Sequence, residues 1–338
     1  MTISQLQNRL CYSHSIGLST MEGRGFYYPV DTAIDADGKL YTVSRSLDGD
    51  DRGLRVTVYD LESEYFGTFG GHGTGDGQFV WPTAIVRDTE GNTYVADEYT
   101  NRVVTFDSDW KPTGSWGKTG ADPGEMDGPS GLALDTEGNL LVVDHQNNRV
   151  QRFTRDGVYL SGFGSKGAGD GEFDLPWGIT VVSNGDVLVA DWGNDRIQRF
   201  ASDGTFISSD GTSGRGDGAL HRPASVTVDS EGFMYVADWG NERIQIFDSK
   251  GIFVQGLRGE ATDSRWAEDF LRINVEEAQA RSSADMAKDI DFFVDDPHEV
   301  SSHIEKYFWA PTSVKLDSEG RLYVTESNRH RLQIYQRA

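Results

Sequence analysis

The stretch Pro82-Thr-Ala-Ile-Val-Arg-Asp-Thr-Glu-Gly-Asn-Thr-Tyr-Val-Ala-Asp97, carried through Glu98 to Asn101 into Arg102-Val-Val-Thr-Phe106, decides the fold because it recurs. Similar text returns from Pro129, Pro176 and Pro223, each time 47 residues on. Each copy runs from proline through a short apolar alternation to a tight turn, such as Asp135-Thr-Glu-Gly138. A second alternation ends in Asp, and a third opens with Arg. Alternation of period two is the mark of a half-buried strand, and Gly-terminated turns suit short connections. A repeat of this length with several strands per unit is the signature of a propeller or solenoid.

Two divergent copies complete the set. Pro29 opens one with Val43-Ser44 where the others have Ala-Asp or Val-Asp, and Pro311 opens another with Thr325-Glu326. Successive prolines are 53, 47, 47, 47 and 88 residues apart, so two copies carry insertions of 6 and 41 residues. Six four-stranded units arranged radially make an all-β, six-bladed β-propeller. The early copies have a fourth alternation, such as Tyr159-Leu-Ser-Gly-Phe-Gly164, whereas the last stops at Ala338 without one. Leu10-Cys-Tyr-Ser-His-Ser-Ile-Gly17 has strand composition and precedes the first copy, so it is expected to supply blade six's outer strand and leave no open edge.

Composition narrows the function. The repeat accounts for nearly all of residues 1–338, which are expected to form one domain, with residues 260–308 as an insertion on one face. The net charge of −23 argues against nucleic acid, since phosphate binding requires a basic face. No run of 18 apolar residues exists, hence no expected membrane span. No basic start with an apolar core opens the chain, and Cys11 is the one cysteine, so a cytoplasmic monomer without internal disulfides is expected.

Strand order assigns faces. If each proline opens an innermost strand, the loop between second and third strands and the links between blades share one face, the top. Both insertions fall there. Arg55, Arg102, Arg149, Arg196, Arg243 and Arg331 occupy one position of the repeat, five residues after Asp97, Asp144, Asp191, Asp238 and Glu326 in five of the copies. Such pairs can meet bidentately across a loop, and repetition in every blade points to structure. In blade one Ser44 replaces the acid, while Asp31 stands where other copies have Ala84, Gly131, Gly178, Ser225 and Ser313. A compensating partnership of Asp31 with Arg55 is expected. Within the large insertion Trp266, Phe270 and Ile273 share a helical face, Asp296-Pro297-His298-Glu299 reads as a helix start, and Val300, Ile304 and Phe308 form a second stripe. Between Glu260 and Lys306 lie 13 acidic and 5 basic residues. Helices covering the top of the central channel are expected.

The pattern Gly-Asp-Gly-x-Phe…Pro, then Val-Ala-Asp-x-Gly-Asn-x-Arg-Ile-Gln-x-Phe, is cleanest from Gly169 to Phe200 and recurs from Gly216 to Phe247. It resembles the NHL-repeat family of six-bladed β-propellers. That resemblance implies the fold. For function it implies a choice among protein-interaction modules, RNA-binding modules and enzyme-like relatives with a metal in the central channel, and fold alone does not choose.

Candidate site residues were therefore sought on the top face. Trp81, Trp177 and Trp309 flank the blade-opening prolines, Tyr27 lies nearby, and Trp192 and Trp239 read as fillers of ordinary Asp-Trp-Gly-Asn turns. With Asp31, Arg45, His221 and Arg222 they suggest an aromatic, mixed-charge mouth that would hold a protein or small-molecule ligand. The competing chemical reading is a metal-assisted lyase or lactone hydrolase drawing ligands and bases from Asp31, Asp127, Asp174, His145 and His221, with a divalent metal in the channel. Against it, the peptide-amidating lyases that resemble this family place a histidine after the blade-opening proline. That slot here holds Val30, Thr83, Ser130, Trp177, Ala224 and Thr312. No Gly-x-Ser-x-Gly, phosphate-loop or His-Glu-x-x-His motif occurs. The preferred reading is a non-catalytic binding propeller, with no cofactor and no metal site assigned.

Overall fold

The structure, a computed structural model, describes residues 9–46, 51–285 and 296–338. Six four-stranded antiparallel sheets form the blades. Blade one comprises Pro29–Ile34, Leu40–Ser44, Arg55–Tyr59 and Tyr65–Phe69, and blades two, three and five repeat that order from Pro82, Pro129 and Pro223. Blade four starts late, at Ile179–Val181, because Trp177 and Gly178 exchange hydrogen bonds with Ala190 out of the regular ladder.

Blade six closes as the sequence indicates. Leu10–Gly17 pairs antiparallel with Arg331–Arg337, placing residues from the two ends of the chain in one sheet. Leu10 and Ile16 are buried on it, so the closing strand contributes apolar packing as well as hydrogen bonds.

The core is divided among the gaps between blades. Three residues before each blade-opening proline stands a fully buried apolar side chain: Phe26, Phe79, Met126, Phe173, Leu220 and Phe308. This explains the Gly-x-Gly-x-Phe links. The glycines let the chain turn tightly between blades while the apolar residue plugs the gap, at about 2–3 kcal/mol for each such side chain.

The large insertion forms helices α1 (Arg265–Ile273), α2 (Val275–Ser283) and α3 (Pro297–His303). Ser264 caps α1, and Asp296 caps α3 by accepting the His298 N–H at 3.0 Å, with Pro297 in the first turn as its sequence demands. The expected apolar stripe of α1 does not cover the channel. Trp266 alone is buried, wedged against Phe26 and Tyr59 at the junction of blades six and one, and its indole N–H donates to the Ser63 carbonyl at 2.7 Å. Phe270 is 42% and Ile273 76% exposed, so the helix presents one residue of the three to the core. Phe308 belongs to the plug set, and α3 rests beside the loop Trp239–Asn241. Residues 286–295 of the insertion and 47–50 of the smaller one lie outside the described residues.

Candidate functional site on the top face

The top loops are held by a repeated polar unit. In blades three, four and five a fully buried aspartate, Asp144, Asp191 or Asp238, receives the Arg Nε–H from Arg149, Arg196 or Arg243 at 2.7–2.8 Å. The same carboxylate oxygen takes an amide N–H from Gln151, Gln198 or Gln245 at 3.0 Å. Glu326, Arg331 and Gln333 repeat this in blade six, where the Arg–carboxylate contact is bidentate. Burial raises the pKa of each of the three aspartates, against the hydrogen bonds that favour the charged form. The acid and the arginine are the expected pair; the glutamine is added by the structure, and Arg-x-Gln recurs in just these four copies.

Blade two departs from the expected pairing. Asp97 is saturated by the N–H groups of Val80, Trp81 and Tyr99 and by the Thr100 hydroxyl. Arg102 donates instead to the carbonyls of Gly73, Thr74 and Gln78, and its Nε is buried without a hydrogen-bond partner among the described residues. The glutamine slot there holds Val104.

A second device ties neighbouring blades together at five of the six junctions. The residue before the repeated arginine adopts a left-handed conformation, at Asn101, Asn148, Asp195, Glu242 and His330. Its side chain accepts the N–H of the residue before the next blade's proline: Gly128, Leu175, Arg222, Ala310 and Tyr28, at 2.5–2.9 Å. The junction of blades one and two lacks it because Leu54 occupies the slot. There Arg45, from the small insertion, donates to the Pro82 carbonyl at 2.8 Å and lies over the Trp81 ring, 4.8 Å from its centre. Burial lowers the Arg45 pKa to about 10.

The expected partnership of Asp31 with Arg55 does not form. Arg55 donates to the carbonyls of Thr20, Met21, Gly23, Gly25 and Arg52. Asp31 lies in the channel wall, receiving the N–H groups of Thr32 and Ile85 and the Ser313 hydroxyl, with the Lys315 ammonium 3.3 Å away. The reason is register. Asp31 sits on the innermost strand and Arg55 on the third strand of the same sheet, with Leu40–Ser44 between them.

Five blade junctions present half-exposed aromatic rings on this face, each beside a cation or an imidazole. Trp81 lies under Arg45, and Trp177 meets His145 edge-on at 4.9 Å. Trp192 carries Arg222 over its ring at 4.5 Å and leans on Trp239 at 6.3 Å, a contact between the equivalent turns of blades four and five. Trp309 stands between Arg329, 5.1 Å from its ring centre, and His298. Tyr27 stacks on His330 at 5.4 Å, and burial drops the His330 pKa to about 4, which keeps that imidazole neutral and able to accept from Tyr28. His298, on α3, lies between the Trp309 indole N–H at 3.0 Å and the buried Glu242 carboxylate, anchoring the insertion beside this ring of aromatics.

The pool of metal ligands and bases is not brought together. His145 faces the Pro176 carbonyl at 3.0 Å, His221 is 3.4 Å from Asp195, Asp127 is exposed, and Asp31 is committed to the channel wall. Asp174 stands at the top loop of its own blade, where its carbonyl accepts from Gly193. Among the described residues no three His, Cys, Asp or Glu side chains are disposed to hold a metal, so this donor set does not fit the metal-dependent reading. The pocket at the top of the channel is lined by innermost-strand residues and Trp177, and none of the described helical residues lines it. No helix among the described residues is long and apolar enough to cross a membrane.

Residues 126–153, 173–200, 220–247 and 308–335 match the model of the NHL repeat. No match to a curated protein sequence was found. Among solved structures, the chain is similar to a catalytically inactive virginiamycin B lyase from Staphylococcus aureus with quinupristin. The two share 13% identity and a TM-score of 0.60, covering 97% of this chain and 100% of that one. It is likewise similar to a protein of unknown function from Bacteroides thetaiotaomicron, at 18% identity and a TM-score of 0.61 over 97% of this chain and 75% of the other. A chain of the nidogen/laminin complex matches at 16% identity and a TM-score of 0.52, over 68% and 79%. At these identities the likeness is one of fold.

Proposed function

With NHL repeats carried on a six-bladed β-propeller as the premise, we propose that the chain is a binding module whose top face takes a protein or small-molecule ligand through its aromatic–cation pairs. One observation carries this reading. Trp81, Trp177, Trp192, Trp309 and the Tyr27–Tyr28 pair are all half-exposed at blade junctions, each held in place by a neighbouring Arg or His. Tryptophan and arginine dominate the energetics of protein interfaces, and rings already fixed by neighbours lose little freedom on binding. The repeated Asp–Arg–Gln units and the interblade hydrogen bonds supply the rigid base.

The test is a titration of the full chain, read by intrinsic tryptophan fluorescence, against a panel of peptides and small aromatic acids. A saturable ligand should lose at least tenfold in affinity on Trp192→Ala or Arg222→Ala, with the melting temperature unchanged. A saturable ligand indifferent to substitution of Trp81, Trp177, Trp192 and Trp309 alike would refute the assignment.

A further inference from the structure

The opposite mouth of the channel, at the ends of the innermost strands, differs in chemistry from the rest of this acidic molecule. A cavity of about 380 Å³ opens there, bounded by the innermost strands of blades one, two, three, four and six. Its walls mix aliphatic side chains with Thr32, Thr180, Arg87 and Lys315, and no carboxylate lines it. The fifth residue after the blade-opening proline is Ile34, Leu134, Val181 or Leu316 in four of these blades, and Arg87 in blade two. The residue before it is Ala33, Val86, Ala133 or Thr180 in four, and Lys315 in blade six. Two slots that are otherwise apolar or Thr thus carry one cation each, on two of the bounding blades.

Neither cation is consumed by the fold. Arg87 has no carboxylate partner among the described residues. Its guanidinium lies 3.8 Å from the Tyr41 ring centre and donates to the Thr93 hydroxyl at 2.6 Å, and its Nε is buried without a hydrogen-bond partner among the described residues. Lys315 is paired with Asp31 at 3.3 Å, but Asp31 is already held by Thr32, Ile85 and Ser313. That carboxylate fixes the ammonium near the channel axis and leaves it hydrogens to donate. Among the side chains at the cavity wall two cations face one carboxylate, a local surplus of one positive charge, while the next chain position on blades one, two, three and six is Asp35, Asp88, Asp135 and Asp317. In a chain of net charge −23, maintaining such a spot requires specific residues. The cavity is of the size of small-molecule sites, which are mostly apolar with a few placed polar groups.

We infer that this lower mouth is a second binding site, distinct from the top face, for an organic monoanion: a carboxylate held by Lys315 and Arg87 with its aliphatic body against Ile34, Leu134, Val181 and Leu316. The test is calorimetric titration of the full chain with octanoate, octylammonium and 1-octanol. Octanoate should bind with one-to-one saturation, at least fivefold more tightly than either of the other two. Arg87→Gln and the paired change Asp31→Asn/Lys315→Met should each weaken octanoate at least fivefold, while Trp192→Ala leaves it unchanged. The paired change removes both charges together, so it strands no buried carboxylate; should it fail to fold, Arg87→Gln and the ligand selectivity decide alone. Absence of saturation, octylammonium or octanol within fivefold of octanoate, or a smaller effect of Arg87→Gln overturns the inference.

Discussion

Blade three and blade one reach the same geometry by different polar chemistry. In blade three Asp144, Arg149 and Gln151 close a charged unit, and Asn148 reaches across to the Leu175 N–H of the next blade. In blade one Ser44 replaces the acid, Thr57 the glutamine and Leu54 the interblade acceptor. Arg55 survives by donating to carbonyls of the 20–25 and 52 segments, and Arg45 from the small insertion takes over the junction to blade two. The Ser44 hydroxyl is left buried without a hydrogen-bond partner among the described residues. What the blades share is therefore an arginine anchored in the top loops, to a carboxylate in blades three to six and to backbone carbonyls in blades one and two, together with a bridged junction. Blade one, freed from the repeated pattern, also hosts the one-off Asp31 of the channel wall.

Breaking the unit in blade three gives the largest expected effect. Arg149→Ala strands a fully buried Asp144, and removing one partner of a buried pair costs about 3–5 kcal/mol. Arg55→Ala strands only carbonyls and should cost less, about 1–3 kcal/mol. Urea unfolding of both variants measures the difference. Equal losses would mean that the charge on Asp144 contributes nothing, and the comparison of the two blades would collapse to one of shape.

The same comparison extends to pH at the junction of blades five and six. Glu242 occupies the interblade slot, and burial pushes its carboxyl up to about 7 from an ordinary 4.5, while hydrogen bonds from His298 and the Ala310 N–H oppose the shift. The folded chain then holds a proton between about pH 4.5 and 7 that the unfolded chain has released, so this group's contribution to stability falls as pH rises through that window. Glu242→Gln carries no such proton. Relative to wild type it should gain about 2 kcal/mol between pH 5 and pH 8. Urea midpoints at the two pH values check it; parallel pH profiles would show that Glu242 titrates normally.

The legible part of this molecule is the part that repeats. Six blade-opening prolines, four of them at a constant spacing of 47 residues, showed the blade number, and the missing fourth strand after Arg331 located the closing strand at Leu10–Gly17. The Asp296 cap was readable because capping is local. Partnerships that depend on distance through space were not. Asp31 and Arg55 are neighbours in the logic of the repeat but stand on the first and third strands of their sheet, and the partner of Asp31, Lys315, lies 284 residues away. Trp266 has helix period with Phe270 and Ile273, yet period cannot say that the helix stands at the junction of blades six and one, with room for one ring. The placement of Trp81, Trp177 and Trp309 on one face followed from strand order, whereas the arginines and histidines that hold them came only from the fold.

A smaller loss tests the interblade hydrogen bonds. Asn148→Gly removes the acceptor of the Leu175 N–H while tolerating the left-handed φ of 54° at that position. The cost should be about 1 kcal/mol, the worth of one such hydrogen bond. Arg45→Ala, at the junction that lacks the device, should cost a similar amount and in addition loosen Trp81, seen as a red-shifted tryptophan emission that Asn148→Gly does not produce. If Arg45→Ala leaves both stability and emission unchanged, Arg45 is not the substitute bridge.

The smallest expected change is Val104→Gln, which asks whether the glutamine organises the unit or merely accompanies it. In blades three to six the amide of this glutamine and the arginine Nε share one carboxylate oxygen, and the glutamine Oε1 also takes a link N–H, from Gly124, Gly171 or Gly218 in blades three to five and from Glu260 in blade six. The same spacing in blade two, 27 residues, points a glutamine at 104 toward the Gly77 N–H, with the Gln78 carbonyl and Asp97 in reach of its amide. Asp97 is already saturated, so the newcomer must displace the Thr100 hydroxyl or a backbone donor. Gains and losses then nearly cancel: a buried valine is lost from the gap between blades one and two, and a hydrogen-bonded amide replaces it. Stability should move by less than about 1 kcal/mol. The informative readout is geometric. If glutamine organises the unit, the Arg102 Nε, now without a partner, should turn to Asp97 in a crystal structure of the variant. An Arg102 still donating to Gly73, Thr74 and Gln78 would show that the saturated acid, and not the missing glutamine, keeps blade two apart from blade three.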